Sequence, residues 1–209
     1  THDGGATWVK LEGLTHYPVW EMKIVPVGDQ YWIYAATMNG LFFLRDIPAG
    51  DFDPYFSWEA SSGIAGVATV DALNVGVEPG RVVYYIGTSG GELPELNSTG
   101  SLNSADAGEA MPGGVYRRMS TGEAPISRDV PGWRWMNQSG FRNANNVITA
   151  LDPFGGDLYA STGNSVNGAT IYRSSNGKDW APASAAGPGP IFGDGNKYIL
   201  DLQEFDGQL

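Results

Sequence analysis

Two stretches of the chain align without a gap: FRNANNVITALDPFGGDL at 141–158 and FGDGNKYILDLQEFDGQL at 192–209. Phe141 falls on Phe192, Asn145 on Asn196, Ile148 on Ile199, Leu151 on Leu202, Phe154 on Phe205, Gly156 on Gly207 and Leu158 on Leu209. The matched positions are the apolar and turn positions of one strand and its following turn. A chain that repeats such a piece stacks similar units, because one unit cannot bury its apolar face alone.

Other pieces recur in step with it. YAATMNG at 34–40, YIGTSGG at 85–91 and YASTGNS at 159–165 each run from an aromatic through small residues to Thr37, Thr88 or Thr162 and then a turn. This suits a short buried strand that passes close to its neighbours. Next come the aromatic strands LFFLRD at 41–46, VYRRMS at 115–120 and TIYRSS at 170–175, and then strands starting near Trp58, Trp133 and Trp180, with Trp8 as a truncated first example. The first strand of each unit, in MKIVPVG, TVDALNVGV, NVITALDPF and YILDLQEF, alternates apolar and polar as a half-buried strand should.

Four short strands per unit at a repeat of roughly 50 residues, without helical periodicity, predict an all-β chain, a β-propeller of four-stranded blades. The expected organisation is one propeller domain or fragment over 1–209, with three full blades and two partial ones. The blades lie at approximately 1–20 (partial), 21–61, 64–138, 146–185 and 197–209 (partial), with an inserted loop at 92–112. Read linearly, the chain begins late in one blade and ends after the first strand of another, which favours a part of a longer propeller. The inserted loop is polar and small, which suits a surface loop or a contact with a ligand or partner.

Composition removes several classes of partner. The chain carries 23 acidic against 12 basic residues, a formal net charge of −11, so non-specific nucleic-acid binding is repulsive, and no basic cluster offsets it. No apolar run is long enough to insert in a bilayer as a helix. The absence of cysteine excludes disulfides and thiolate chemistry, and His2 and His16 offer little for an imidazole metal site.

THDGGATW at 1–8 resembles the Asp-box of the bacterial neuraminidase repeat, with Thr1, Asp3, Gly5, Thr7 and Trp8 in the motif positions. SSNGKDW resembles a shortened box, with Ser174, Asn176, Gly177 and Trp180 in place; RDIPAGDFD at 45–53 and RRMSTGEAP at 117–125 depart from the pattern. The resemblance implies a structural turn between the third and fourth strands of a blade, a tryptophan packed between blades, and a place outside the cell or on its surface. The style of the repeat is similar to bacterial extracellular repeat propellers. Sialidases, xyloglucan-degrading hydrolases and sortilin-type receptors share the box, so it implies a fold more than a function.

Chemistry is less legible. Glycoside hydrolysis needs two facing carboxylates; Asp46, Asp51, Asp53, Glu92, Glu95, Asp201 and Glu204 are available, each also readable as a solvated or turn residue. A sialidase would also need three clamping arginines. Arg117, Arg118, Arg142 and Arg173 exist, but FRNAN at 141–145 departs from the expected Phe-Arg-Ile-Pro. Asp51, Asp53 and Asp194 are the candidates for a metal, calcium by their oxygen chemistry, without the spacing of an EF-hand. Trp32 and Trp135 stand outside the repeated tryptophan positions and could serve a sugar-binding surface. Asn97 and Asn137 head N-glycosylation triplets.

The expectation is a binding or assembly scaffold for a protein or carbohydrate, or one that self-assembles, with no catalytic constellation visible, no catalytic residue and no cofactor assigned. The alternative is a sialidase-like or xyloglucanase-like glycoside hydrolase; a second alternative is the subunit of a fibre or surface layer. A binding module predicts no carboxylate pair facing the channel. A hydrolase predicts acids from different blades converging on one face.

Overall fold

The computed structural model describes residues 5–8, 13–14, 17–48, 57–61, 69–78, 81–89, 114–121, 133–136, 141, 147–183, 193 and 195–209. These form three four-stranded antiparallel sheets, each in simple sequence order. The first contains β1 (Val19–Val27), β2 (Gln30–Thr37), β3 (Gly40–Pro48) and β4 (Glu59–Ala60). The second contains β5 (Val70–Glu78), β6 (Arg81–Thr88), β7 (Gly114–Thr121) and β8 (Arg134–Trp135). The third contains β9 (Val147–Phe154), β10 (Asp157–Gly163), β11 (Ile171–Ser174) and β12 (Ala181–Pro182). The chain is all-β, and its sheets are the blades of a β-propeller.

The recurrent threonine has a defined task. Thr37, Thr88 and Thr162 are fully buried at the end of each second strand. Each hydroxyl donates to the carbonyl that opens the third strand: Gly40 at 2.8 Å, Gly114 at 3.4 Å and Thr170 at 3.1 Å. The hydroxyl thus closes the neck of the connection between the two strands, whether that connection is the short turn after Thr37 or the long insertion after Ser89. A buried carbonyl left without a donor at this point would cost about 1–3 kcal/mol.

Blades pack face to face through apolar side chains. Between the first and second, Trp32, Tyr34, Phe43, Tyr84, Tyr116 and Trp133 form one buried cluster, and the Tyr34 and Tyr84 hydroxyls meet at 2.8 Å. Trp32 is buried and stacks on Phe43 with ring centroids 5.7 Å apart, so it is core and not the exposed sugar platform considered above. The Trp135 side chain lies outside the described residues.

Between the second and third blades, Ala72, Val115, Ile148, Leu151 and Ala160 make the core. A Cβ on Gly87 would stand 2.5 Å from Ile148 Cγ2, so the backbone of β6 comes as close to β9 as a residue without a side chain permits. The YILDLQEF segment forms no ladder: residues 197–209 hold isolated bridges, one from Tyr198 to Gly163 and one from Phe205 to Gln208. The segment is pinned by the third blade, where Thr149 and Ser161 both donate to the Ile199 carbonyl, at 2.5 and 2.9 Å.

The shortened box at 174–180 forms a tight turn. The Asn176 Oδ1 accepts from the backbone N–H groups of Lys178 and Asp179, both at 2.8 Å, and from the Ser174 hydroxyl at 3.1 Å. Gly177 has φ +66°, the left-handed region that favours glycine, and any Cβ there would overlap the Tyr85 hydroxyl of the second blade. Trp180 meets Phe141 edge-on at 5.5 Å. Trp8 behaves differently from the buried tryptophan the resemblance implies: it is 79% exposed, and its indole N–H donates to the Gly5 carbonyl at 3.1 Å. Thr1 and Asp3 lie outside the described residues.

Candidate functional site

The first strands of neighbouring blades lie side by side, β1 beside β5 and β5 beside β9. They border a groove of about 940 Å³ that the 198–203 segment lines on its other side. Four carboxylates reach it, one from each successive repeat: Glu21, Asp71, Asp152 and Asp201.

A shared irregularity turns the strands toward this groove. In β1 the pairing passes from Val19↔Thr37 to Glu21↔Ala36, leaving Trp20 as an extra residue. In β5 the extra residue is Asp71, between Val70↔Thr88 and Ala72↔Gly87. In β9 it is Thr149, between Ile148↔Thr162 and Ala150↔Ser161. A bulge bends its strand and re-aims a side chain, and here all three bulged residues line the groove.

The charges are unevenly compensated. Lys23 Nζ lies 2.8 Å from Glu21 on its own strand and 3.6 Å from Asp152 on β9, so one cation bridges the first and third blades. Glu21 Oε2 also accepts the Leu73 N–H at 2.6 Å, fastening β1 to β5. Burial raises the pKa of Glu21 and of Asp152, with Lys23 opposing the rise in both; Lys23 itself is raised, its two carboxylate neighbours outweighing its own desolvation. Among the described residues no such cation lies beside Asp71. Burial pushes its carboxyl up to about 6, against hydrogen bonds from the Ser89 hydroxyl and backbone that favour the ionised form.

Of the carboxylates considered from sequence, Asp201 lines the groove and Glu204 is exposed outside its lining. The side chain of Asp46 and all of Asp51, Asp53, Asp194, Glu92 and Glu95 lie outside the described residues, as do Arg142, Asn97 and Asn137. Among the described residues no group of three or more His, Asp or Glu side chains could hold a metal ion. The described arginines do not form a clamp. Arg118 is buried, donating to Ser61 Oγ at 3.1 Å with its guanidinium 5.8 Å from the Trp133 ring centroid, while Arg173 lies 3.9 Å from Asp157 on the third blade. None of the described arginines lines the groove.

Residue-by-residue reasoning missed Glu21, Asp71, Asp152 and Trp20. The signal that could have found them was the alignment of the four first strands, which sets Trp20, Asp71, Thr149 and Leu200 at one repeat position and Lys23, Asn74, Asp152 and Gln203 at another.

No protein-family model and no curated protein matches the chain. One matching solved structure is the Bombyx mori GH32 beta-fructofuranosidase BmSUC1, with 11% identity and a TM-score of 0.42. The alignment covers 81% of this chain and 37% of that one, so the chain spans little more than a third of that protein's length.

Proposed function

We propose that this propeller handles a carbohydrate in the groove between its first strands, and that the groove has the chemistry of a glycoside hydrolase. The observation that carries the proposal is the convergence of Glu21, Asp71, Asp152 and Asp201 from four successive repeats on one cavity. A pure binding module was expected to show no such convergence.

Glycoside hydrolysis divides its work between a protonated acid and an ionised carboxylate. Asp71, raised to about 6 with no cation beside it among the described residues, suits the proton donor. Glu21 and Asp152, sharing Lys23, suit the ionised partner. Trp20, 56% exposed at the edge of the groove, offers an aromatic face for a sugar ring. The turn at 174–180 supports placing the chain with the Asp-box propellers, and with them at the cell surface or outside the cell.

The second reading is the binding or assembly scaffold. It is favoured by Met22, Ile24 and Tyr31, which lie on one side of the first sheet and are 58, 62 and 39% exposed. Such an apolar strip suits packing against another surface.

Incubating the chain with neutral oligosaccharides separates the two, with binding followed by calorimetry and product release by mass spectrometry. Release that falls at least a hundredfold in Asp71→Asn while binding persists supports hydrolysis. Binding without release by the wild type leaves a carbohydrate-binding scaffold, and no binding at all refutes the groove as the site.

A further inference from the structure

Aligned on their bulges, the first-strand segments read Val19-Trp20-Glu21-Met22, Val70-Asp71-Ala72-Leu73, Ile148-Thr149-Ala150-Leu151 and, in the 198–205 segment, Ile199-Leu200-Asp201-Leu202. The first and fourth positions are apolar in all four repeats. In the second and third blades they are fully buried as Val70, Leu73, Ile148 and Leu151.

The third position is either small, as Ala72 and Ala150, or engaged with backbone. Glu21 accepts the Leu73 N–H at 2.6 Å, and Asp201 accepts the Leu202 N–H at 2.9 Å. The second position alone combines four unlike side chains, Trp, Asp, Thr and Leu, with a place in the groove lining in every repeat. In the three ladders it is also the residue with no cross-strand partner, so changing it leaves the pairing register intact.

We infer that this bulge position determines the specificity of the groove: Trp20, Asp71, Thr149 and Leu200 select the ligand, while their flanking residues hold the scaffold. The inference rests on the groove being the carbohydrate site. Trp20 and Leu200, 56 and 77% exposed, present apolar surface. At pH 7, above its raised pKa of about 6, Asp71 presents a carboxylate to the groove. Thr149 gives its hydroxyl proton to the Ile199 carbonyl and, with Ser161 Oγ 3.1 Å away, keeps at most one lone pair for the groove. The polar positions therefore accept hydrogen bonds, and the ligand must bring donors. Lys23, the cation among the described groove residues, is already shared by Glu21 and Asp152, so an anionic ligand there meets carboxylates. The class that fits is a neutral or amino-bearing oligosaccharide, with an apolar ring face and hydroxyl or ammonium donors, and not a uronic or sialylated one.

The test titrates the chain by calorimetry with cellotetraose, a chitosan tetramer, a galacturonate tetramer and sialyllactose. The first two bind and the last two do not. Trp20→Ala weakens cellotetraose roughly tenfold. Asp71→Asn removes the advantage of the chitosan tetramer over cellotetraose. Val166→Ala, at an exposed position outside the groove lining, changes all affinities by less than about twofold. Circular dichroism checks folding, with Trp20→Leu and Asp71→Ser as replacements for a variant that fails it. Bulge variants that shift every ligand alike, or no more than Val166→Ala does, overturn the inference and leave the groove in place. Unchanged binding in Gln203→Trp, which puts a bulky ring at an exposed position of the groove lining, or tight binding of the acidic sugars, overturns the groove assignment or its ligand class respectively. No binding of any probe by the wild type overturns both.

Discussion

Replacing Asp71 with asparagine is expected to stabilise the protein at neutral pH. The carboxyl ionises near 3.8 in the unfolded chain and near 6 in the folded one. Between those values the folded state binds more protons, so stability from this group is fully present below about pH 4 and is lost as pH rises through about 6. The full difference corresponds to about 3 kcal/mol, and solvent reaching the part of the carboxylate open to the groove reduces it to about 1–2 kcal/mol. Asparagine keeps the shape and an oxygen for the Ser89 hydroxyl while removing the charge.

Urea denaturation of both proteins from pH 4 to 8, followed by tryptophan fluorescence, reads the difference directly. Glu21 and Asp152, whose pKa values are also raised, are common to both proteins, so subtraction isolates Asp71. The two proteins should be equally stable near pH 4, and the variant should gain about 1–2 kcal/mol by pH 7.5. A variant that is less stable at pH 7.5, by an amount that does not vary with pH, would show that hydrogen bonding to the carboxylate outweighs its desolvation, and the reasoning would fail. A carboxylate that destabilises its own fold is the pattern expected of a functional group.

Two further outcomes follow from the packing. Gly87→Ala sets a Cβ 2.5 Å from Ile148 Cγ2 and 2.6 Å from its Cβ, which rotation of the isoleucine cannot relieve, so the second and third blades should separate slightly at a cost of about 1–3 kcal/mol in urea denaturation. Asn176→Ala removes the acceptor for two backbone N–H groups in the 174–180 turn, and should cost about 1–2 kcal/mol with faster amide exchange at Lys178 and Asp179.

Much of the fold was legible because the chain repeats. The aromatic-small-small-Thr pieces identify the second strands, and the short fourth strands begin directly after Trp58, Trp133 and Trp180. The recurrence of Thr37, Thr88 and Thr162 was visible, but its reason was not. A hydroxyl that reaches 26 residues along the chain from Thr88 to Gly114 as readily as from Thr37 to Gly40 is a fact of strand neighbours, not of local spacing.

The candidate site was the least legible part. Of the acids that the sequence offers as candidates, Asp201 in the last segment lines the groove, whereas Glu21, Asp71 and Asp152 sit on first strands and read as ordinary polar positions of an alternating pattern. Trp32 stood out from the repeat and proved to be core, while Trp20 was passed over and lies in the groove.

Sequence alone determined the class of fold, the number of strands per blade and the positions of the turns, because apolar periodicity, glycine and the repeat act locally and show in one dimension. Tertiary structure decided which face each residue meets. A bulge shifts a strand by one residue against its partner, and that slip exists only where two strands are paired. Trp20, Asp71 and Thr149 therefore became neighbours of one groove through a registry that no single strand encodes.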